Sequence, residues 1–152
     1  MKRLVAPVLG LLVAGCATEP GEDALVKRAI DGDTIELESG ERVRYLMVDT
    51  PESTTELECY GTNAKTFNRD LVEGKRVRLR TDVEREDMFG RTLAYVTVDG
   101  EEVNTLIIER GFGCVLHIPP NGDDRADEFD ALEAAARAGN KGLWAACTPP
   151  PC

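Results

Sequence analysis

The stretch VKRAIDGDTIELESGERVRYLMV, residues 26–48, decides the fold. It divides into three short runs rich in Val, Ile, Thr, Leu and Tyr: Val26 to Ile30, Thr34 to Leu37, and Arg42 to Val48. Between them stand Asp31-Gly32 and Ser39-Gly40, pairs that suit tight turns between antiparallel neighbours. Short β-rich runs spaced by hairpin turns predict a meander of strands rather than helix.

Outward from that stretch the pattern changes. Asn63 to Val72 carries Ala64, Phe67 and Leu71 at helical spacing, with Gly74 where a helix should stop. Lys75 to Thr81 and Arg91 to Val98 read as strands again, the second ending at Asp99-Gly100. Val103 to Glu109 predicts a short helix closed by Gly111, and Asp124 to Ala138 an amphipathic helix on Phe129, Leu132 and Ala136, ending at Gly139. Trp144 packs down the chain near its end. Three strands, a helix, two strands and two helices make an α+β domain. Five strands closing as a Greek-key barrel would be an OB-fold, a frame that often serves nucleic acids. The expected organisation is a leader over 1–15, a modified cysteine and tether over 16–24, the folded domain over 25–145, and a Cys/Pro tail over 146–152.

The leader has a basic start in Lys2 and Arg3 and an apolar run from Leu4 to Ala14, too short to span a bilayer. It ends in Val13-Ala14-Gly15-Cys16, which resembles a bacterial lipobox. That resemblance implies export, acylation at Cys16 and a membrane anchor, at the outer membrane or cell surface.

Composition is that of a folded soluble domain, with 42% hydrophobic and 30% charged residues. The net charge of −10, from 18 basic against 28 acidic residues, excludes a protein that grips a polyanion by bulk electrostatics. Loss of Lys2 and Arg3 with the leader makes the remainder more acidic still. Any action on nucleic acid therefore has to come from a local site. Besides Cys16 there are Cys59, Cys114, Cys147 and Cys152, an even set that predicts two disulfides in an exported protein, with three pairings open. Zinc is disfavoured because there is no CxxC pair and His117 is the single histidine.

Ionisable residues gather where no helix face requires them. Asp31-Gly32-Asp33-Thr34 places two acids around a turn, Arg44 lies in an apolar strand, Asp49-Thr50-Pro51-Glu52 follows that strand, and Arg91 opens another. Hydrolysis of a phosphodiester needs a hard cation, a group to accept or orient water's proton, and positive groups for developing charge. Asp33, Asp49 and a backbone carbonyl are oxygen donors suited to Ca²⁺. Glu52 is placed to activate water. Arginine suits phosphate because its planar fork bonds two oxygens.

The segments AIDGDT (29–34), VRYLMVDTPE (43–52) and DMFGRTLAY (87–95) resemble the signature stretches of the staphylococcal nuclease family. Tyr60-Gly61, Val103-Asn104 and Gly142-Leu143-Trp144 extend the resemblance over the mature domain. It implies an OB-fold barrel with three helices, and a monomeric Ca²⁺-dependent endonuclease that cuts DNA and RNA to 3′-phosphate ends. By position, Asp33, Asp49 and the Thr50 carbonyl take the roles of calcium ligands and Glu52 that of water activator. Arg44 and Arg91 take the phosphate-binding roles, and Asp31 stands in the outer shell of the metal. The family pattern departs at Met88-Phe89, where Lys-Tyr is usual, and after the second helix, where His117 and Pro119-Pro120 replace tyrosines. Phe89 and His117 are thus the expected substrate contacts. A non-catalytic nucleic-acid- or protein-binding surface lipoprotein on the same frame is the rival reading. Loss of the acids or arginines would mark it, and this chain keeps them.

Overall fold

A computed structural model describes residues 21–152. The leader, Cys16 and the first part of the expected tether lie outside the described residues. The chain runs β1 (Glu22–Ala29), β2 (Thr34–Leu37), β3 (Arg42–Tyr45), β4 (Met47–Asp49), α1 (Gly61–Val72), β5 (Arg76–Arg80), β6 (Thr92–Val98) and β7 (Glu101–Glu102). It continues through α2 (Val103–Glu109), β8 (Cys114–Leu116), a 3-10 turn (Asp123–Arg125), α3 (Ala126–Ala138) and α4 (Leu143–Ala146). Six strands in the order β3-β2-β1-β5-β6-β7 form one sheet, and a parallel pairing of β3 with β6 closes the first five into a barrel. This is the α+β OB-type barrel that the strand order suggests and the family resemblance implies.

Closure depends on β1 serving two partners. Its first half pairs with β5, Glu22 opposite Leu79 through Leu25 opposite Arg76, and its second half with β2. An irregularity between Val26 and Arg28 bends the strand between the two, as bulges do at barrel corners. Pairing with β5 carries the strand back to Glu22, three residues before Leu25. Two of these residues are acidic and Ala24 packs against the core, and all three are ordered by the partner strand.

Arg42 to Val48 is not one strand but two. Met47 has φ 64°, a left-handed turn that sends β4 out of the barrel to pair with β8, Met47 opposite Leu116 and Asp49 opposite Cys114. Two contacts hold this unfavourable backbone. Asn104 Nδ2 donates to the Leu46 carbonyl at 2.9 Å, and Gly122 leaves room for the Met47 sulfur that any Cβ would strike. β7, β8 and the one-turn α4 add to the expected elements, and α1 opens two residues early at Gly61.

The core lies inside the barrel and under α2 and α3. Val26, Ile35, Val43, Tyr45, Val96, Ile107 and Phe129 are among its fully buried members. Burial on that scale is the main stabilising term, with truncation of a residue such as Phe129 to Ala costing about 3–5 kcal/mol. Asn104, fully buried, accepts from the Val96 N–H and donates to the Leu46 and Ala94 carbonyls. A second, smaller cluster joins Cys114, Cys147 and Leu143 with Tyr60 and Trp144. There the disulfides Cys59–Cys147 and Cys114–Cys152 form, so the tail pins back to two earlier cysteines instead of closing on itself. Among the described residues no helix is long and apolar enough to cross a membrane.

Candidate active site

The β1–β2 turn is shaped by glycine and held by α1. A Cβ on Gly32 would lie 2.6 Å from Thr50 Oγ1 and 2.8 Å from the Ala64 Cβ, so only glycine lets the turn lie against both. Asn68 of α1 donates to the Asp31 carbonyl at 2.8 Å and accepts from the Tyr45 hydroxyl at 2.7 Å. The turn therefore presents two acids from a fixed backbone. Asp31, buried, accepts from the Gly32 N–H and from the Ser53 hydroxyl at 2.7 Å. Asp33, also buried, accepts from the Thr34 hydroxyl on Oδ1 and from the Thr50 N–H and hydroxyl on Oδ2.

Arg44 ties this turn to the end of β4. One guanidinium nitrogen donates to the Tyr45 and Val48 carbonyls. The other donates to Asp49 Oδ1 at 3.1 Å and lies 3.3 Å from Asp33 Oδ2. The Met47 turn precedes Val48 and Asp49, the two residues of β4 that Arg44 reaches. Arg44 is 13% exposed while Asp49 is 56% exposed, so the arginine is a fixed floor and the aspartate an open rim.

Arg91 stands on the opposite lip. Asp87 Oδ1 accepts from the Phe89 and Arg91 N–H groups and its Oδ2 from Arg91 Nε at 2.7 Å. Partial burial would push the Asp87 carboxyl up, but the hydrogen bonds from the Arg91 backbone and side chain and from Phe89 outweigh it and hold it below its ordinary value. Asp87 thus aims Arg91, with the guanidinium 5.4 Å from the Phe89 ring centre. Glu52 is exposed and accepts from the Thr54 hydroxyl at 3.1 Å.

These groups meet in one cleft of about 370 Å³ whose walls include Asp31, Asp33, Asp49, Glu52, Arg44 and Arg91. Burial, with Asp33 and Glu52 nearby, raises the Asp31 carboxyl against the lowering by Ser53 and Gly32. Burial also raises Asp49, opposed by Arg44 and assisted by Asp33, Glu58 and Glu52. Crowded acids that resist losing their protons suit a site built around added positive charge. The cleft walls hold oxygen donors and no His or Cys, which is the chemistry of a hard cation. Among the described residues no three Asp, Glu, His or Cys side chains converge as a ready-made ligand group.

Asp31, Asp33, Asp49, Glu52, Arg44 and Arg91 line the cleft, whereas Thr50 does not line it and joins it through its bonds to Asp33. The two substrate candidates part company. Phe89, 75% exposed, joins Met88, Leu93, Leu116 and Ile118 in the apolar wall of a neighbouring cleft of about 380 Å³, which shares Arg44 and Arg91. His117 lines neither cleft and bonds Asp123 at 2.9 Å. Residues that the sequence reading left without a role are Thr34, Thr50 (through its hydroxyl), Ser53, Asn68 and Asp87. Of these only Asp87 had a signal, the Asp-x-Phe-Gly spacing of an Asx turn.

A sequence profile described as staphylococcal nuclease homologue matches residues 42–146. The chain is 43% identical over 107 residues to a thermonuclease of Staphylococcus intermedius, covering 66% of this chain and 64% of that protein. It is 34% identical over 129 residues to the SPbeta prophage-derived endonuclease YokF of Bacillus subtilis (strain 168), covering 80% and 44%. With endonuclease YncB of the same organism it shares 37% over 124 residues, covering 77% and 59%. The chain thus spans roughly half to two thirds of the length of these relatives.

Proposed function

The chain belongs to the staphylococcal nuclease family, and from that premise we propose that it is a Ca²⁺-dependent phosphodiesterase that hydrolyses DNA and RNA to 3′-phosphate ends. The observation that carries the reading is Arg44 reaching both Asp33 and Asp49 across the floor of a cleft that Arg91 and Glu52 complete.

Asp33, Asp49 and the Thr50 carbonyl are the groups that would hold the cation. When bound, Ca²⁺ supplies positive charge to the phosphate and acidifies water beside it. Glu52 accepts the proton of the attacking water, the new P–O bond forms in line, and the 5′ oxygen departs, taking a proton from solvent. Arg44 and Arg91 bind the non-bridging oxygens and stabilise charge that grows on them as the bond breaks. Arg44 is pre-positioned by two carbonyls and Arg91 by Asp87, so little reorganisation is needed at the moment of reaction. The apolar cleft beside the arginines, with Phe89 on its wall, receives the adjoining base. Asp31, held by the Ser53 hydroxyl and the Gly32 N–H, takes the outer-shell place beside the cation.

The reading also includes export and acylation at Cys16, which would hold a monomeric enzyme at the outer membrane or cell surface. Labelling with a radioactive fatty acid, lost in Cys16→Ala, tests this part. For the activity, nicking of supercoiled plasmid is measured with Ca²⁺, with chelator, and with Ca²⁺ restored. Cleavage that appears only with free Ca²⁺ supports the assignment, and equal cleavage in chelator refutes it.

A further inference from the structure

The segment Cys147–Cys152 is fastened beside two of the segments that bring acids to the cleft, β4 with Asp49 and the loop that carries Glu52. Cys114, directly opposite Asp49 across β4 and β8, is bridged to Cys152. Cys59 is bridged to Cys147. Glu58, one residue before Cys59, holds the backbone of Glu52 twice: it accepts from the Glu52 N–H at 2.8 Å and its own N–H donates to the Glu52 carbonyl at 3.0 Å. Gly61 lies so close to that same carbonyl that any Cβ would strike it. Between Glu52 and Cys59 the chain is largely exposed and carries no helix or strand.

Taking the cleft as the phosphodiesterase site proposed above, we propose that the two disulfides act as one strap that sets Glu52 against Asp49. Glu58, Cys59 and Cys147 are then positioning residues for hydrolysis. The path is short and physical: the strap fixes Cys59, Cys59 fixes Glu58, and Glu58 fixes the Glu52 backbone. The barrel does not need the strap in the same way. Its core is closed by strand pairing and by α2 and α3, while Cys114 and Cys147 belong to the separate small cluster. Cutting the strap therefore loosens the Glu52 loop ahead of the barrel. Cys59 and Cys152 are exposed, so each bridge has a sulfur within reach of exchange. A dithiol reductant breaks each S–S bond, giving two thiols that gain two electrons and two protons, while the reagent closes to its own disulfide. A disulfide oxidant reverses the exchange. Activity then follows the redox state of the surroundings, low where thiols are kept reduced and full where disulfides persist.

The test compares the oxidised protein with the same protein in dithiothreitol, and with Cys59→Ser/Cys147→Ser and Glu58→Ala made in the oxidised background. Each is measured in Ca²⁺ on a DNA substrate, well below the melting temperature of the reduced form, with circular dichroism as a check on the barrel. Because a displacement of about 1 Å at a reacting group costs orders of magnitude, kcat should fall about tenfold or more with KM within about twofold. Limited proteolysis at 53–58 should accelerate together with it. Unchanged kcat in the double serine variant, or a loss of activity that only tracks the fraction unfolded, overturns the proposal. If oxidised wild-type protein does not cleave at all, the nuclease reading fails and the catalytic role falls with it. Proteolysis at 53–58, unaltered by reduction in that case, would reject the strap's hold on the loop as well.

Discussion

Thr50 meets Asp33 twice, through its backbone N–H and its hydroxyl, each 2.9 Å from the same carboxylate oxygen. With the Thr34 hydroxyl on the other oxygen, Asp33 is the acceptor that joins the β1–β2 turn to the end of β4. An amide cannot accept at both ends. Asp33→Asn should therefore lower stability by about 1–3 kcal/mol, the cost of leaving buried donors unmatched. Asp49 is exposed and has Arg44 as its hydrogen-bond partner, so Asp49→Asn should change stability little. Both should lose nearly all Ca²⁺-dependent cleavage. Denaturant midpoints beside plasmid nicking separate the two effects, and full activity of both in chelator would reject the calcium assignment.

The arginines should matter more to the transition state than to binding. Arg44→Lys and Arg91→Lys keep the charge but lose the parallel N–H bonds, so kcat should drop well beyond any rise in KM. Arg44→Lys should also cost stability, about 1–3 kcal/mol, because its guanidinium serves two carbonyls. Arg91→Lys gives up chiefly the Asp87 contact and should melt near wild type. Steady-state kinetics at two ionic strengths decide. A change confined to KM that fades in salt would make both arginines docking groups.

Stability should depend on acid through Glu36. Hydrogen bonds from Lys27 and then Arg28 hold its carboxyl down to about 2 from the ordinary 4.5. The folded value lies below the unfolded one, so this contribution is present above about 4.5 and is lost as pH falls toward about 2. Glu36→Gln should be less stable than wild type at pH 6, and the gap should close as pH falls through that window. A gap that stays constant from pH 6 to pH 2 would show that the ion pairs do not set it.

Reduction of both disulfides should lower the melting temperature. The rings they close span 88 and 38 residues of sequence separation, and each bridge should contribute about 2–4 kcal/mol, chiefly by restricting the unfolded chain. Melts with and without a phosphine reductant measure this. Four titratable thiols in protein taken from an oxidising compartment would reject both bridges.

Much of the barrel was legible because local signals and the tertiary fold agree. β2 and α2 carry their expected bounds, each bracketed by turn residues or a closing glycine. The break at Met47 was not legible, since nothing in RVRYLMV marks it. It is imposed by Asn104 and Gly122, which come from far along the chain. β8 is three residues between Gly113 and His117 and exists because β4 needs a partner. At the site, acids and arginines in turns and strands stand out against their surroundings. A threonine or serine in a loop says nothing about its acceptor, so the hydroxyls of Thr50 and Ser53 could be found only by their contacts. Cysteine pairing likewise depends on which backbone segments meet, and spacing leaves three choices.

The parallel seam between β3 and β6 has a consequence in time as well as in space. Arg44 pairs across it with Leu93, and Arg91 sits just before Thr92, which pairs with Val43. The two guanidiniums ride on opposite sides of a pairing between segments distant in sequence, of the kind that costs loop-closure entropy before it forms. A native fluctuation that parts this seam separates the arginines at once, however firm each one's own anchors are. The lifetime of the assembled site is then bounded by the opening rate of one strand pair, which amide exchange at Leu46, whose N–H donates to the Ala94 carbonyl across the seam, would report.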